Sequence, residues 1–292
     1  MKIIFVFIDG FGLGEKDPDR NPIYAANAPV IQRLLGDENM IPTDTTLGVP
    51  GLPQSATGQT AIFTGVNAPK VLGHHMSGQP SVTLKKIINE SNLFKELMGM
   101  GLSVTNSNVY RDEYLAKMLD PQDWKNRPSV TSVMTMSAGL NFRTVEDYKR
   151  GLGVYHDITG KIIYESGYDI MPITPAEAAR RLYRISREYD FTLFEHFMTD
   201  IIGHKGDLKQ CAEHIELLDS FLGELISMID PEKDLLIITS DHGNIEDASV
   251  KTHTYNKVPT VLIGNVPLGS TQKVNSIMDI TPLVVDIFRA YS

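Results

Sequence analysis

Short apolar stretches alternate with longer amphipathic ones over much of this chain. Residues 3–8, 102–105, 191–198, 235–239 and 258–263 are short runs rich in apolar residues, continuous over 3–8. That is the pattern of strands buried on both faces of a parallel sheet. Between these stretches the period changes to that of a helix. Leu208, Cys211, Ile215, Leu218, Leu222, Leu225 and Ile229 recur in steps of three and four, which predicts a helix over 207–229 that Asp230-Pro231 ends. Ala28-Pro29 opens a shorter helix, with proline where its missing N–H costs nothing, and Gly36 closes it. Thr174-Pro175-Ala176-Glu177 has the order of a capping box leading into a helix over 178–189. Strand and helix in alternation imply an α/β fold, three layers α/β/α around a mostly parallel central sheet.

Residues 107–172 break the alternation. Pro121, Pro128 and scattered glycines interrupt every regular period there, so we expect a small cap-like insertion within a core made of 1–106 and 173–292. At 292 residues the chain buries roughly three quarters of its unfolded surface, and its 42% hydrophobic and 22% charged content is that of a globular protein.

Charge and cysteine usage narrow the function classes. A formal net charge of −9 without a basic stripe argues against a nucleic-acid partner. Cys211 is the single cysteine, so an intramolecular disulfide and a Cys-rich metal site are excluded, and its place on the helical stripe makes it a core residue. The apolar start ends at Asp9, too soon to span a bilayer, and no later run approaches the ~18 apolar residues required. The expectation is a cytoplasmic protein without a membrane partner; nothing in the sequence fixes an oligomeric state.

The candidate chemistry is positional. Predicted strand 3–8 runs into Asp9, strand 191–198 into Asp200 with His204 four residues on, and strand 235–239 into Asp241-His242. In open α/β sheets ligands bind beyond the carboxyl ends of the strands. Each residue has a plain structural use, as a turn aspartate, a cap or a surface histidine such as His253. Together on one sheet edge the carboxylates would repel one another, and divalent cations remove that penalty. Ser55 is a second candidate. Pro53 precedes a stretch over 55–63 that can be helical, with Gly65 as its stop, and places Ser55 at or beside a helix N-terminus. There a serine serves as an ordinary N-cap, or the free N–H groups favour an anion at its oxygen. Gly10, Gly12 and Gly14 do not form the dinucleotide fingerprint, because Glu15 stands where its last glycine would be.

With these residues in order, the chain resembles the alkaline phosphatase superfamily, in the branch that holds cofactor-independent phosphoglycerate mutase and phosphopentomutase. The motifs are Phe7-Ile8-Asp9-Gly10-Phe11-Gly12, Ser55 with Gly58 and Gly65, Asp200-Ile201-Ile202-Gly203-His204, Ser240-Asp241-His242-Gly243-Asn244 and Thr252-His253-Thr254, with Met278-Asp279-Ile280-Thr281-Pro282 near the end. Gln59 stands where some relatives have histidine, and the C/S-x-P-x-R signature of sulfatases is missing after Ser55. The resemblance implies two divalent metal ions, Mn²⁺ or Zn²⁺, one held by Asp9, Ser55, Asp241 and His242, the other by Asp200, His204 and His253. It implies Ser55 as the nucleophile and a phosphoserine intermediate. The expected substrate is a small-molecule phosphoester, hydrolysed by a phosphatase or rearranged by a phosphomutase. Arg111, Arg127, Arg143 and Arg150 are further candidates for an anion clamp, and His74 and His75 are more simply loop residues.

Overall fold

The computed structural model describes residues 1–291 except 121, 124, 126, 268 and 270, so Pro121 lies outside the described residues. The centre is a six-stranded sheet in the order β2-β6-β5-β1-β4-β3. Its strands are β1 (Lys2–Ile8), β2 (Ile41–Thr43), β3 (Val104–Asn106), β4 (Phe191–His196), β5 (Asp234–Thr239) and β6 (Val258–Ile263). β3, β4, β1 and β5 run parallel; β6 pairs antiparallel with β5, and β2 antiparallel with β6.

Helices cover both faces, and strand alternation decides which side chain meets which layer. On β1, Ile3, Phe5 and Phe7 face the helices Ser55–Thr64, Leu93–Gly99 and Ile280–Ala290. Ile4, Val6 and Ile8 face Pro29–Gly36, Pro175–Ser186 and Leu208–Met228. Both sets are 0–1% exposed, which is why β1 reads as one continuous apolar run. Cys211 lies in the second layer and is buried.

Four local details differ from the sequence reading. β4 ends at His196, because Met198 already starts the short helix Met198–Gly203. β2 carries only one apolar residue flanked by Pro42, too little pattern to find. The helix expected over 178–189 runs from Pro175 to Ser186. Only half of its capping box forms: Thr174 accepts from the Glu177 N–H at 3.1 Å, while the Glu177 carboxylate turns to Arg180, Arg181 and Arg184.

Within residues 107–172 lie the short helices Asp112–Leu119, Val130–Ser137, Val145–Lys149 and Lys161–Glu165. Val109, Val145, Tyr148, Tyr155, Ile163 and Ile170 form a separate small apolar cluster. Val130, Val133 and Met134 instead enter the main core.

Candidate metal centre

The three adjacent parallel strands β5, β1 and β4 end at the same edge, so the residues that follow them converge. Asp9 follows β1 directly, Asp200 sits in the first turn after β4, and Asp241-His242 follow β5. Gly10 takes φ +71°, and a Cβ there would lie 2.9 Å from the Cβ of Asp200. Glycine is what lets these two loops touch.

The seven residues singled out from the sequence lie together and form two clusters, with Asp9, Ser55 and Asp200 lining an open cleft. In the first, Asp200 Oδ1 is 3.4 Å from His204 Nε2 and 3.3 Å from His253 Nε2. In the second, His242 Nε2 is 3.2 Å from Asp9 Oδ1, 3.6 Å from Asp241 Oδ2 and 3.0 Å from Ser55 Oγ. Atoms of Asp200, His204 and His253, and likewise of Asp9, Asp200 and His242, all lie within 4.8 Å of one another. Asp200 therefore borders both clusters, whereas the resemblance implied it for one. The His242 and His253 rings stack with centroids 3.7 Å apart and join the two.

Ser55 is the first residue of the helix Ser55–Thr64 and Gln54 is its cap, so the hydroxyl does not serve as the N-cap. It points at His242 instead. Gly65 ends this helix at φ 73°, and the Thr281 hydroxyl fastens it to the C-terminal helix by donating to the Ile62 carbonyl at 2.7 Å.

The electrostatics are those of crowded carboxylates. Asp241 is held well above the usual carboxylate range by burial and by the charge of Asp9. Burial opposes a charge on His242, but Asp241 and Asp9 outweigh it and push its pKa up to about 10. Asp200 is also penalised by burial, yet the hydrogen bond from His253, the charge of His242 and the Asn244 amide at 2.6 Å bring it to about 2.

Histidine tautomers test whether these residues suit a cation. His253 Nδ1 lies 2.7 Å from the Pro53 carbonyl and His204 Nδ1 lies 3.0 Å from the Lys251 carbonyl. A carbonyl only accepts, so both Nδ1 atoms carry hydrogen and both Nε2 atoms of the neutral rings present lone pairs. Those lone pairs face Asp200 Oδ1, whose only other donor among the described residues is the Asn244 amide, so without a cation one ring must take up a proton to hydrogen-bond the carboxylate. Asp9 Oδ1 is likewise buried without a hydrogen bond. The donor set fits divalent cations, with backbone carbonyls orienting the imidazoles from behind.

Sequence reasoning missed the supports. Gln59 Nε2 donates to Asp9 Oδ2 at 2.9 Å and to Asp241 Oδ2 at 3.4 Å, spacing two carboxylates. Glu246 is buried and accepts from Gly12 N, Asn244 N, Thr254 and Asn256, which ties three site loops together. Of the arginines named above, Arg111 lines the cleft, while Arg143 is used on the Asn106 carbonyl at 3.1 Å and Thr105 at 3.0 Å. His75 is a loop residue, 3.1 Å from the Val49 carbonyl.

A family model described as the metalloenzyme superfamily matches residues 1–291. The chain belongs to that superfamily. The expectation of an alkaline-phosphatase-superfamily metalloenzyme therefore holds. This metalloenzyme is 28% identical over 127 residues to the 2,3-bisphosphoglycerate-independent phosphoglycerate mutase of Desulforudis audaxviator, a match covering 41% of the chain and 25% of that relative. It is 34% identical over 109 residues to the same-named protein of Antithamnion sp., covering 35% and 21%. The chain thus matches about a quarter or less of the length of these curated relatives. Its fold is similar to the PH0037 protein from Pyrococcus horikoshii, with TM-score 0.60 and 16% identity over 99% of this chain and 96% of that one. It is also similar to Leishmania mexicana phosphoglycerate mutase, with TM-score 0.60 and 11% identity over 98% and 95%. For alkaline phosphatase of the Antarctic bacterium TAB5 the TM-score is 0.52 and the identity 11%, over 99% and 97%. No helix among the described residues is long and apolar enough to cross a membrane.

Proposed function

We propose that this metalloenzyme hydrolyses a small phosphomonoester by phosphoryl transfer, first to Ser55 and then to water. The observation that carries the reading is the Ser55 hydroxyl at a helix N-terminus, 3.0 Å from His242 Nε2 and beside two clusters of cation-binding atoms. Asp9, Ser55, Asp241 and His242 would hold one divalent ion, and Asp200, His204 and His253 the other. When bound, such ions neutralise the clustered carboxylates, lower the proton affinity of the serine hydroxyl and balance the charge on phosphoryl oxygens.

The chain supplies position and proton control. The helix N-terminus directs free N–H groups toward the anionic ester. Ser55 Oγ gives up its proton to solvent and attacks phosphorus, the bond from phosphorus to the ester oxygen breaks, and the alcohol leaves with a proton taken from solvent. Water then attacks the phosphoserine, freeing inorganic phosphate and restoring the hydroxyl. Gln59 keeps Asp9 and Asp241 apart and oriented while charge moves.

A second reading, a phosphomutase in which a substrate hydroxyl replaces water as acceptor, is favoured by one observation: the sequence relatives bear the name of a mutase. Incubating the Mn²⁺- or Zn²⁺-loaded protein with a panel of phosphomonoesters separates the two. Hydrolysis releases inorganic phosphate, whereas a mutase yields an isomer without release. No turnover of any ester by the metal-loaded protein would overturn both.

A further inference from the structure

The cleft does not end at Ser55. It extends as a cavity of about 490 Å³ from Asp9, Ser55 and Asp200 into a chamber lined by Tyr110, Tyr114 and Phe197. That volume is within the usual range for small-molecule sites. Tyr110 and Tyr114 stack with centroids 6.3 Å apart, and the Tyr110 hydroxyl is anchored on Ser132 at 3.1 Å, so the wall is fixed.

Into this chamber the end of β4 delivers Glu195, which lines the cavity yet is only 5% exposed. The Thr131 hydroxyl donates to its Oε2. Among the described residues no other group is hydrogen-bonded to this carboxyl, and no lysine, arginine or histidine forms an ion pair with it. Arg111, which also lines the cleft, donates to Ser166 at 2.9 Å. Buried carboxylates are ordinarily paired or fully hydrogen-bonded, and Glu195 is neither. Burial, with Asp9 adding to it, pushes the group up to about 7, the direction of a carboxylate lacking a countercharge. A carboxyl group without a countercharge among aromatic faces, beside a candidate site for phosphate, suits a cation attached to the esterified alcohol.

We propose that Glu195 receives the ammonium group of the substrate's alcohol portion, so that the substrate class is a phosphomonoester of an amino alcohol. This rests on the phosphoryl-transfer reading above. Thr131 holds the carboxylate in place, the tyrosine faces surround the ammonium, and the phosphate reaches Ser55. Glu195 is a specificity residue with no part in making or breaking the phosphorus bonds.

The test compares kcat/KM of the metal-loaded protein for 2-aminoethyl phosphate, 2-hydroxyethyl phosphate and propyl phosphate, in the wild type and in Glu195→Gln. Glutamine keeps the shape and an acceptor for Thr131 but removes the charge. We expect the wild type to prefer the amine by about tenfold or more over both other esters, and the variant to lose that preference to within about twofold. The wild-type ratio decides first: turnover of all three esters at similar efficiency overturns the amine inference while leaving phosphoryl transfer intact. A preference kept by a variant that unfolds at the wild-type temperature overturns the assignment to Glu195. A variant that does not fold is replaced by Glu195→Asp, whose shorter carboxylate should weaken the preference without abolishing it; an unchanged preference there has the same adverse meaning. Inactivity on every ester of a wider panel sinks the parent reading, and this inference with it.

Discussion

The ε nitrogens of His204 and His253 face each other across 3.2 Å, with Asp200 Oδ1 completing the triangle. Backbone carbonyls occupy both δ nitrogens, so with both rings neutral three acceptors meet with no proton shared among them, and among the described residues only the Asn244 amide donates to Asp200 Oδ1 from outside, at 2.6 Å. A cation there converts mutual repulsion into binding energy available to the fold. We expect exhaustive chelation to lower the melting temperature by about 5 °C or more, and Mn²⁺ or Zn²⁺ to restore it, since saturating a site well above Kd adds on the order of 2–3 kcal/mol. His253→Ala should reduce the bound metal by one equivalent. A chelated protein that melts like the loaded one, with no metal found in either, would remove the centre.

The Ser55 hydroxyl points at His242 rather than capping its helix, and the proposed function makes it the nucleophile. Ser55→Ala is therefore expected to cost on the order of 10³-fold or more in kcat. It should abolish acid-stable labelling by a radioactive phosphoester and leave the metal at Asp200, His204 and His253 in place. Because Gln54 is the cap, the melting temperature should change little. Labelling that survives in the alanine variant would move the nucleophile elsewhere.

Gly58 lies on the face of the Ser55 helix that touches the loop after β5. A Cβ there would sit 3.0 Å from the Asp241 Cβ and 3.0 Å from its carbonyl oxygen, a backbone atom that cannot step aside. Alanine in a helix is favoured over glycine by about 1 kcal/mol, but overpacking costs about 1–3 kcal/mol, so the clash wins. Gly58→Ala should lower the melting temperature and reduce activity about tenfold or more by displacing Asp241. A variant more stable than the parent, with full activity, would mean that the helix can retreat freely.

How much of this was legible in the sequence follows from the range of each signal. The two-face burial of β1 requires a continuous apolar run, and that run is local and readable. The convergence of Asp9, Asp200 and Asp241 was readable because parallel strands end at one edge, whatever their exact register. The direction of β6 was not: a fully buried strand is apolar at every position whether it runs parallel or antiparallel. Gln59 was noticed only as a departure from the family pattern, and its bridging role, like Glu246 altogether, was missed because each acts across long sequence separations on loops whose approach no local pattern encodes. Glu195 gave no signal either, since a lone acid inside an apolar strand reads as a solvent-facing position until the chamber around it is seen.

A second histidine pair, away from the metal clusters, weakens the fold as pH falls. His196 Nδ1 donates to the His156 carbonyl at 2.7 Å, so its Nε2 accepts from the Nε2–H of His214 at 2.8 Å. The arrangement is lost when His196 takes a proton at Nε2, and burial disfavours a charge on either ring. Burial lowers His214 to about 4 and holds His196 well below its usual value, with the neighbouring imidazole adding to the effect. Both groups therefore bind protons more readily unfolded than folded. Their contribution to stability is fully present above the unfolded value of ~6.5 and is lost as pH falls toward 4, at about 1.4 kcal/mol per pH unit for each histidine. Glu195, raised by burial, has the opposite sign and favours the fold at lower pH, so the wild-type profile alone mixes the two. His214→Gln isolates the histidine part. Urea unfolding should show the variant less stable than the wild type near pH 7.5, with the difference shrinking steadily below about pH 6.5 as the wild type loses its advantage. A difference that stays constant down to about pH 5 would mean that the pair is already protonated, or solvated, in the folded protein.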